Sequence, residues 1–187
     1  MSSMMKINRS KVKQVKRNKL SETVLINKDL SDKEKYIALI PQVENLLNEE
    51  DNYFSNLANF TAAIKQSFDK VSWAGFYLFD GNKLVLGPFQ GKVACTNINI
   101  GNGVCGASAE RKETIIVKDV NEFPGHIACD SESRSEIVVP IMNDENLFGV
   151  LDLDSTSYNS FNETDKFYLE KLIDILNSKI NFKKIIL

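Results

Sequence analysis

The chain has 187 residues, 43 % hydrophobic and 26 % charged, the proportions of a single globular domain able to bury a core without disulfide or metal staples. No apolar run approaches the ~20 residues that span a bilayer, and the N-terminal region lacks the continuous apolar stretch of a secretory signal, so a cytoplasmic protein is expected. The formal net charge of −2 hides a division: of the 23 Lys and Arg residues seven fall within residues 1–20, which hold no acid, and the other 16 face all 25 Asp and Glu in the rest of the chain.

That basic segment is read as a solvated extension over 1–30, ahead of a folded domain over 31–187. It lacks the aromatic residues that stack on bases, so no nucleic-acid partner is expected, although a basic arm is the alternative reading. It is Lys-rich where a mitochondrial presequence favours Arg and Ser. The domain opens with Ser31 and Glu34 at capping-box spacing. Tyr36, Leu39, Ile40, Val43, Leu46 and Leu47 follow at helical period, with Pro41 expected to kink or interrupt the helix. A second helix carries Phe54, Leu57, Ala58, Ile64 and Phe68.

The pattern then changes to strands. Val71–Phe79 reads as a buried strand, and Asp80-Gly81-Asn82 turns it into a hairpin with Lys83–Leu86. Val93–Ile100 alternates as a further strand. Gly101, Gly103 and Gly106 punctuate a loop that opens a short helix through Arg111, and Thr114–Val117 is another strand. Asn121–Ser133 is a loop broken most sharply at Pro124-Gly125. Glu136–Ile141 and Leu147–Asp154 form strands joined by the turn Asn143–Asn146. Asn162 caps a last helix whose stripe is Leu169, Leu172, Ile173, Leu176 and Ile180. Helices at both ends around hairpin-linked strands indicate an α+β fold with a largely antiparallel central sheet.

Three cysteines, Cys95, Cys105 and Cys129, make a poor disulfide framework and in a reducing compartment point to redox or metal chemistry. Cys129 sits in a polar, turn-rich stretch with His126 and Arg134 nearby to lower its thiol pKa and Asp130 and Glu132 to oppose them. Cys105 follows Gly101-Asn102-Gly103-Val104, where the unpaired N–H groups of a helix start would favour a thiolate; packing at the helix start is the alternative. Cys95 falls in the expected strand, either buried or serving as a resolving thiol for a distant loop cysteine. A zinc site from three Cys and the lone His is the rival chemistry, but no Cys-x-x-Cys knuckle is present, and no metal is expected. Asp152 and Asp154 are two apart in a strand and point to one face, where they either meet solvent or line a cleft that binds an ammonium group. Glu136 can face the same cleft, and Trp73 and Tyr77, four apart, share a face of the first strand.

At these positions the sequence closely resembles the free methionine-(R)-sulfoxide reductases, a GAF-domain family. The matching segments are Trp73-Ala74-Gly75-Phe76-Tyr77-Leu78, Leu84 to Gly91, Gly103-Val104-Cys105-Gly106, Phe123 to Ser131, Ser133 to Pro140, and Gly149 to Ser155; the likeness runs in order from about residue 33 to 176. The resemblance implies a single GAF-type domain that reduces free methionine (R)-sulfoxide. In this mechanism Cys129 is the nucleophile, with Cys105 as the runner-up, and Cys95 is the resolving thiol. Glu136, Asp152 and Asp154 bind the amino group and assist the sulfoxide oxygen, and Trp73 and Tyr77 hold the S-methyl group. It also implies a homodimer that needs no bound cofactor, with thioredoxin as reducing co-substrate. A regulatory GAF module that binds a small ligand without turning it over is the alternative, since one fold hosts both uses.

Overall fold

The computed structural model describes residues 24–125 and 130–180. The basic segment up to residue 20, His126 and Cys129 lie outside them. Helix α1 (Asp32–Leu46) starts at the capping box predicted for it, with Ser31 and Glu34 bonded to each other's backbone N–H. Pro41 sits inside α1 without interrupting it. The carbonyl that Pro41 cannot serve belongs to Ile37, whose turn faces solvent with a side chain 54 % exposed, so water can take the missing bond. The next residue, Gln42, donates through Nε2 to Ala38 O at 2.8 Å and to Leu25 O at 3.1 Å, tying the chain ahead of α1 to its surface. Helix α2 (Tyr53–Ser67) is capped by Asn52.

Six antiparallel strands form one sheet: β1 (Trp73–Phe79), β2 (Lys83–Gln90), β3 (Asn97–Asn99), β4 (Ile115–Val117), β5 (Ser135–Asn143) and β6 (Asn146–Ser155). Their spatial order is β3-β2-β1-β6-β5-β4. Helix α3 (Gly103–Arg111) joins β3 to β4, a 3-10 turn over Val120–Glu122 follows β4, and α4 (Glu163–Lys179) closes the described chain. This is the α+β architecture read from the sequence. The largest differences in strand limits are that β2 runs on to Gln90 and that the strand expected over 93–100 is only Asn97–Asn99. Residues 91–96 form a loop because Trp73 Nε1 takes the Lys92 carbonyl at 3.0 Å, removing it from any ladder.

The period of two along each central strand sorts the residues onto two faces. Ala74, Phe76 and Leu78 of β1, Ile137, Val139 and Ile141 of β5, and Leu151 and Leu153 of β6 pack against α1, α2 and α4. The opposite face carries Trp73 and Tyr77, Val138 and Val150, covered by α3 and the loops. The helical layer is pinned by a buried charge. Asp165, fully buried in the first turn of α4, accepts from Tyr36 Oη at 3.0 Å and Lys70 Nζ at 2.6 Å through Oδ1, and from the Asn162 N–H at 2.9 Å through Oδ2. Burial and the facing Asp165 carboxylate push the Tyr36 hydroxyl well above its ordinary pKa.

Candidate functional site

The second face of the sheet becomes a site through strand register. Asp154 of β6 lies opposite Trp73 of β1 on one side and Glu136 of β5 on the other; Asp152 lies opposite Gly75 and Val138. The three carboxylates and the tryptophan therefore meet on four adjacent lattice points of a rigid sheet. Gly75 is required there. A Cβ at this position would fall 2.2 Å from Trp73 Cη2 and 2.5 Å from Phe89 Cβ, so its absence lets the indole lie flat across the strand. The ring is fixed by stacking on Phe89 at 5.4 Å and Tyr77 at 6.0 Å between centroids.

Helix α3 forms the roof. Gly106 lets it approach the turn before it, because a Cβ would meet Asn99 O at 2.3 Å. That approach brings Cys105 Sγ to 4.0 Å from Glu136 Oε1. The resulting cleft spans about 540 Å³, counting its mouth, which is open to solvent. It is lined by Trp73, Tyr77, Ile98, Cys105, Glu136, Asp152 and Asp154, with Val93, Ala94, Asn102, Gly103, Val104, Asp130 and Ser133 completing its wall and rim. No Lys, Arg or His is among these lining residues.

Electrostatics follow from this geometry. Glu136 and Asp152 are each 6 % exposed and Cys105 is 4 % exposed. Burial, and then the neighbouring carboxylates, push Glu136 and Asp152 well above the usual carboxylate range; hydrogen bonding by Cys105 and Glu136 offsets part of this for Asp152. Among the described residues, the buried Asp152 Oδ1 has no hydrogen-bond partner. Asp154, at the more open end, accepts from Ser133 Oγ at 3.0 Å. Burial raises it to about 6, and the Ser133 bond holds it down against a larger rise. Three carboxyl groups this close and this poorly solvated disfavour full ionisation, which favours retaining a proton or accepting a cation.

Cys105 departs from the sequence reading. The start of α3 was expected to favour its thiolate; instead burial, followed by the Asp152 and Glu136 charges, raises its pKa well above the ordinary thiol value. The N–H groups of one helix turn contribute a fraction of a charge, which desolvation and two carboxylates outweigh. Cys95 differs from expectation in its place: it lies in the 91–96 loop rather than a strand, half-buried beside the second core. It is disulfide-bonded, as its reading as a disulfide-forming thiol expects, whereas Cys105 is free. In that state Cys95 is no thiolate ligand, which removes it from the three-Cys, one-His zinc set. Arg134, expected as a cation near Cys129, spends its guanidinium on the carbonyls of Ser131 and Ser133 at 2.9 and 2.8 Å.

The sequence pattern did not mark Ser133, Ile98 or the Val93-Ala94 rim as cavity residues, and it gave Asp130 only as a charge opposing a Cys129 thiolate. Ser133 carried a usable signal, since it stands three residues before Glu136 in the same motif. Ile98 reaches the cavity from β3, and the rest only through their loops. Lys92 also went unremarked: it pairs with Glu132, and with Asp130 at 3.4 Å, and so bridges the Cys95 loop to the segment that follows Cys129 in sequence.

The GAF-domain family model matches residues 57–178. A free methionine-R-sulfoxide reductase of Saccharomyces cerevisiae is 44 % identical over 171 residues, covering 87 % of this chain and 95 % of that protein. A GAF domain-containing protein A of Dictyostelium discoideum is 50 % identical over 160 residues, covering 85 % and 100 % of the two chains. Among solved structures, the free methionine-R-sulfoxide reductase of Neisseria meningitidis in complex with its substrate superposes with a TM-score of 0.79 at 44 % identity, over 84 % of this chain and 95 % of that one. The chain belongs to the free methionine-(R)-sulfoxide reductase family of GAF domains.

Proposed function

We propose that the protein reduces free L-methionine (R)-sulfoxide to methionine through cysteine chemistry, with a thiol reductant of the thioredoxin class as co-substrate and no bound cofactor. The observation that carries this reading is the shared cavity: an aromatic wall of Trp73 and Tyr77 facing three acid groups, beside the loop that bears the disulfide-bonded Cys95. The acid groups suit the ammonium of a free amino acid, and the indole suits an S-methyl group. The likeness to the yeast and Neisseria free methionine-R-sulfoxide reductases supports the same substrate.

In this mechanism the Cys129 thiolate attacks the sulfoxide sulfur. The oxygen departs to the cysteine sulfur with a proton supplied by Glu136 or Asp152, whose raised pKa values keep one available near neutral pH. Methionine leaves and Cys129 becomes a sulfenic acid. The Cys95 thiol then attacks that sulfur and expels water, giving a disulfide that exchanges with a reduced dithiol. Cys105 is assigned no nucleophilic role, because burial and two carboxylates keep its thiol protonated. The protein is proposed to work as a homodimer in the cytoplasm; no described helix is long and apolar enough to cross a membrane.

The test is direct. Reduced protein, incubated with dithiothreitol and either epimer of free methionine sulfoxide, is expected to release methionine from the R epimer and not from the S epimer or from an N-acetylated R substrate. Absence of methionine from intact, reduced protein refutes the enzymatic reading and leaves a ligand-binding GAF module.

A further inference from the structure

We propose that Cys105, Glu136 and Asp152 form a site for a thiophilic divalent cation of the zinc class, and that such a cation excludes the amino-acid substrate from the cavity. Metal binding requires nothing from the reductase reading; the competition with substrate rests on it.

Three observations converge. One ligand atom from each of the three residues lies within 4.8 Å of the other two, with Cys105 Sγ 4.0 Å from Glu136 Oε1. Tetrahedral zinc with bonds of ~2.0–2.3 Å separates its ligands by roughly 3.5 Å, so small side-chain rotations close the set. The residues stand on α3, β5 and β6, elements already packed together around the second core, so no backbone needs to move. Second, Asp152 Oδ1 is buried with no hydrogen-bond partner among the described residues, while its side chain lines the cavity. An unpaired buried carboxylate oxygen is costly, and a cation relieves that cost. Third, no basic side chain among the described lining residues competes for the acids.

The donor set selects the ion. Calcium takes six to eight oxygens and magnesium retains its waters, so neither gains from a buried sulfur. A thiolate with two carboxylates suits zinc or cadmium, with a fourth position left open to the cavity. Binding forms a metal–sulfur bond, and the Cys105 proton goes to solvent together with any proton held by Glu136 or Asp152, so affinity rises with pH. The metal then occupies the place proposed for the substrate ammonium.

Cadmium is the reporting ion, because its thiolate complexes absorb in the ultraviolet. The oxidised protein is used, in which Cys95 is held in its disulfide and Cys105 is the free thiol among the described residues. Titration with Cd²⁺ at neutral pH is expected to give a sulfur-to-metal band that saturates at one equivalent and is displaced by Zn²⁺. Cys105→Ser is expected to abolish the band. Asp152→Asn, which keeps the thiol, is expected to weaken Cd²⁺ binding by at least the ~10-fold seen on losing even an outer-shell partner; circular dichroism checks that both variants are folded. Free methionine sulfoxide is expected to raise the apparent Kd for Cd²⁺. No band, a band that survives Cys105→Ser, or affinity unchanged by Asp152→Asn overturns the site. A band indifferent to methionine sulfoxide overturns the competition. Methionine release in metal-free dithiothreitol buffer reports on the reductase separately.

Discussion

Asp154→Asn is expected to stabilise the protein near neutral pH while weakening its substrate binding. Asp154 titrates at about 6 in the folded state against an ordinary value of 3.8. Between these values the folded protein holds a proton that the unfolded chain has released. The associated stability is therefore fully present below the unfolded value and is lost as pH rises through about 6. The full linkage is on the order of 3 kcal/mol; Asp154 keeps some solvent exposure, which reduces the expected gain to about 1–2 kcal/mol. Asparagine is nearly isosteric, and its carbonyl oxygen can still accept from Ser133 Oγ, so little is lost in exchange. Urea unfolding of wild type and variant, both with the Cys95 disulfide intact, measures the difference at pH 7.5 and at pH 4. The variant should be more stable at the higher pH, and the gap should close at the lower one. An equal loss at both values, or no difference at pH 7.5, refutes the claim that this carboxylate is held in its site at a cost.

Three further outcomes follow from the same geometry. Asp165→Ala, which strands Tyr36 and removes one of two carboxylates from Lys70, should cost about 3 kcal/mol in urea denaturation. Gly75→Ala forces the Trp73 indole or the Phe89 stem aside; it should lower the unfolding free energy by roughly 1–3 kcal/mol and raise KM for free methionine sulfoxide more than it lowers kcat. Glu136→Gln, which leaves the fold and the aromatic wall in place, should weaken substrate binding and flatten the alkaline limb of the pH–rate profile, since the variant has no proton there to lose.

Much of the architecture was legible because it is periodic. Leu169, Leu172, Ile173 and Leu176 form the buried face of α4, with Ile180 buried just past its end, and the alternation in β6 puts Asp152 and Asp154 together on the face opposite Leu151 and Leu153. Spacing of two fixes a shared face, and register then brings Glu136 beside them. Three things were not legible, each for a physical reason. Residues 93–96 alternate like a strand, but a tryptophan N–H 19 residues away claims the Lys92 carbonyl, a contact no local pattern encodes. The helix-start argument for Cys105 was sound locally and failed because the carboxylates that oppose it come from strands more than thirty positions away. The network of Tyr36, Lys70 and Asp165 joins residues 129 and 95 apart in sequence, which only the packed helical layer brings together.

The central claim is that one cysteine takes the sulfoxide oxygen and a second resets it. Single Cys→Ser variants, reduced, freed of reductant and mixed with excess free methionine (R)-sulfoxide, test it in one turnover by counting methionine per protein. Cys129→Ser should yield none, Cys95→Ser should yield one equivalent and stop at a trappable sulfenic acid, and Cys105→Ser should still complete the round. A full equivalent from Cys129→Ser, or none from Cys105→Ser in a folded protein, contradicts the assignment.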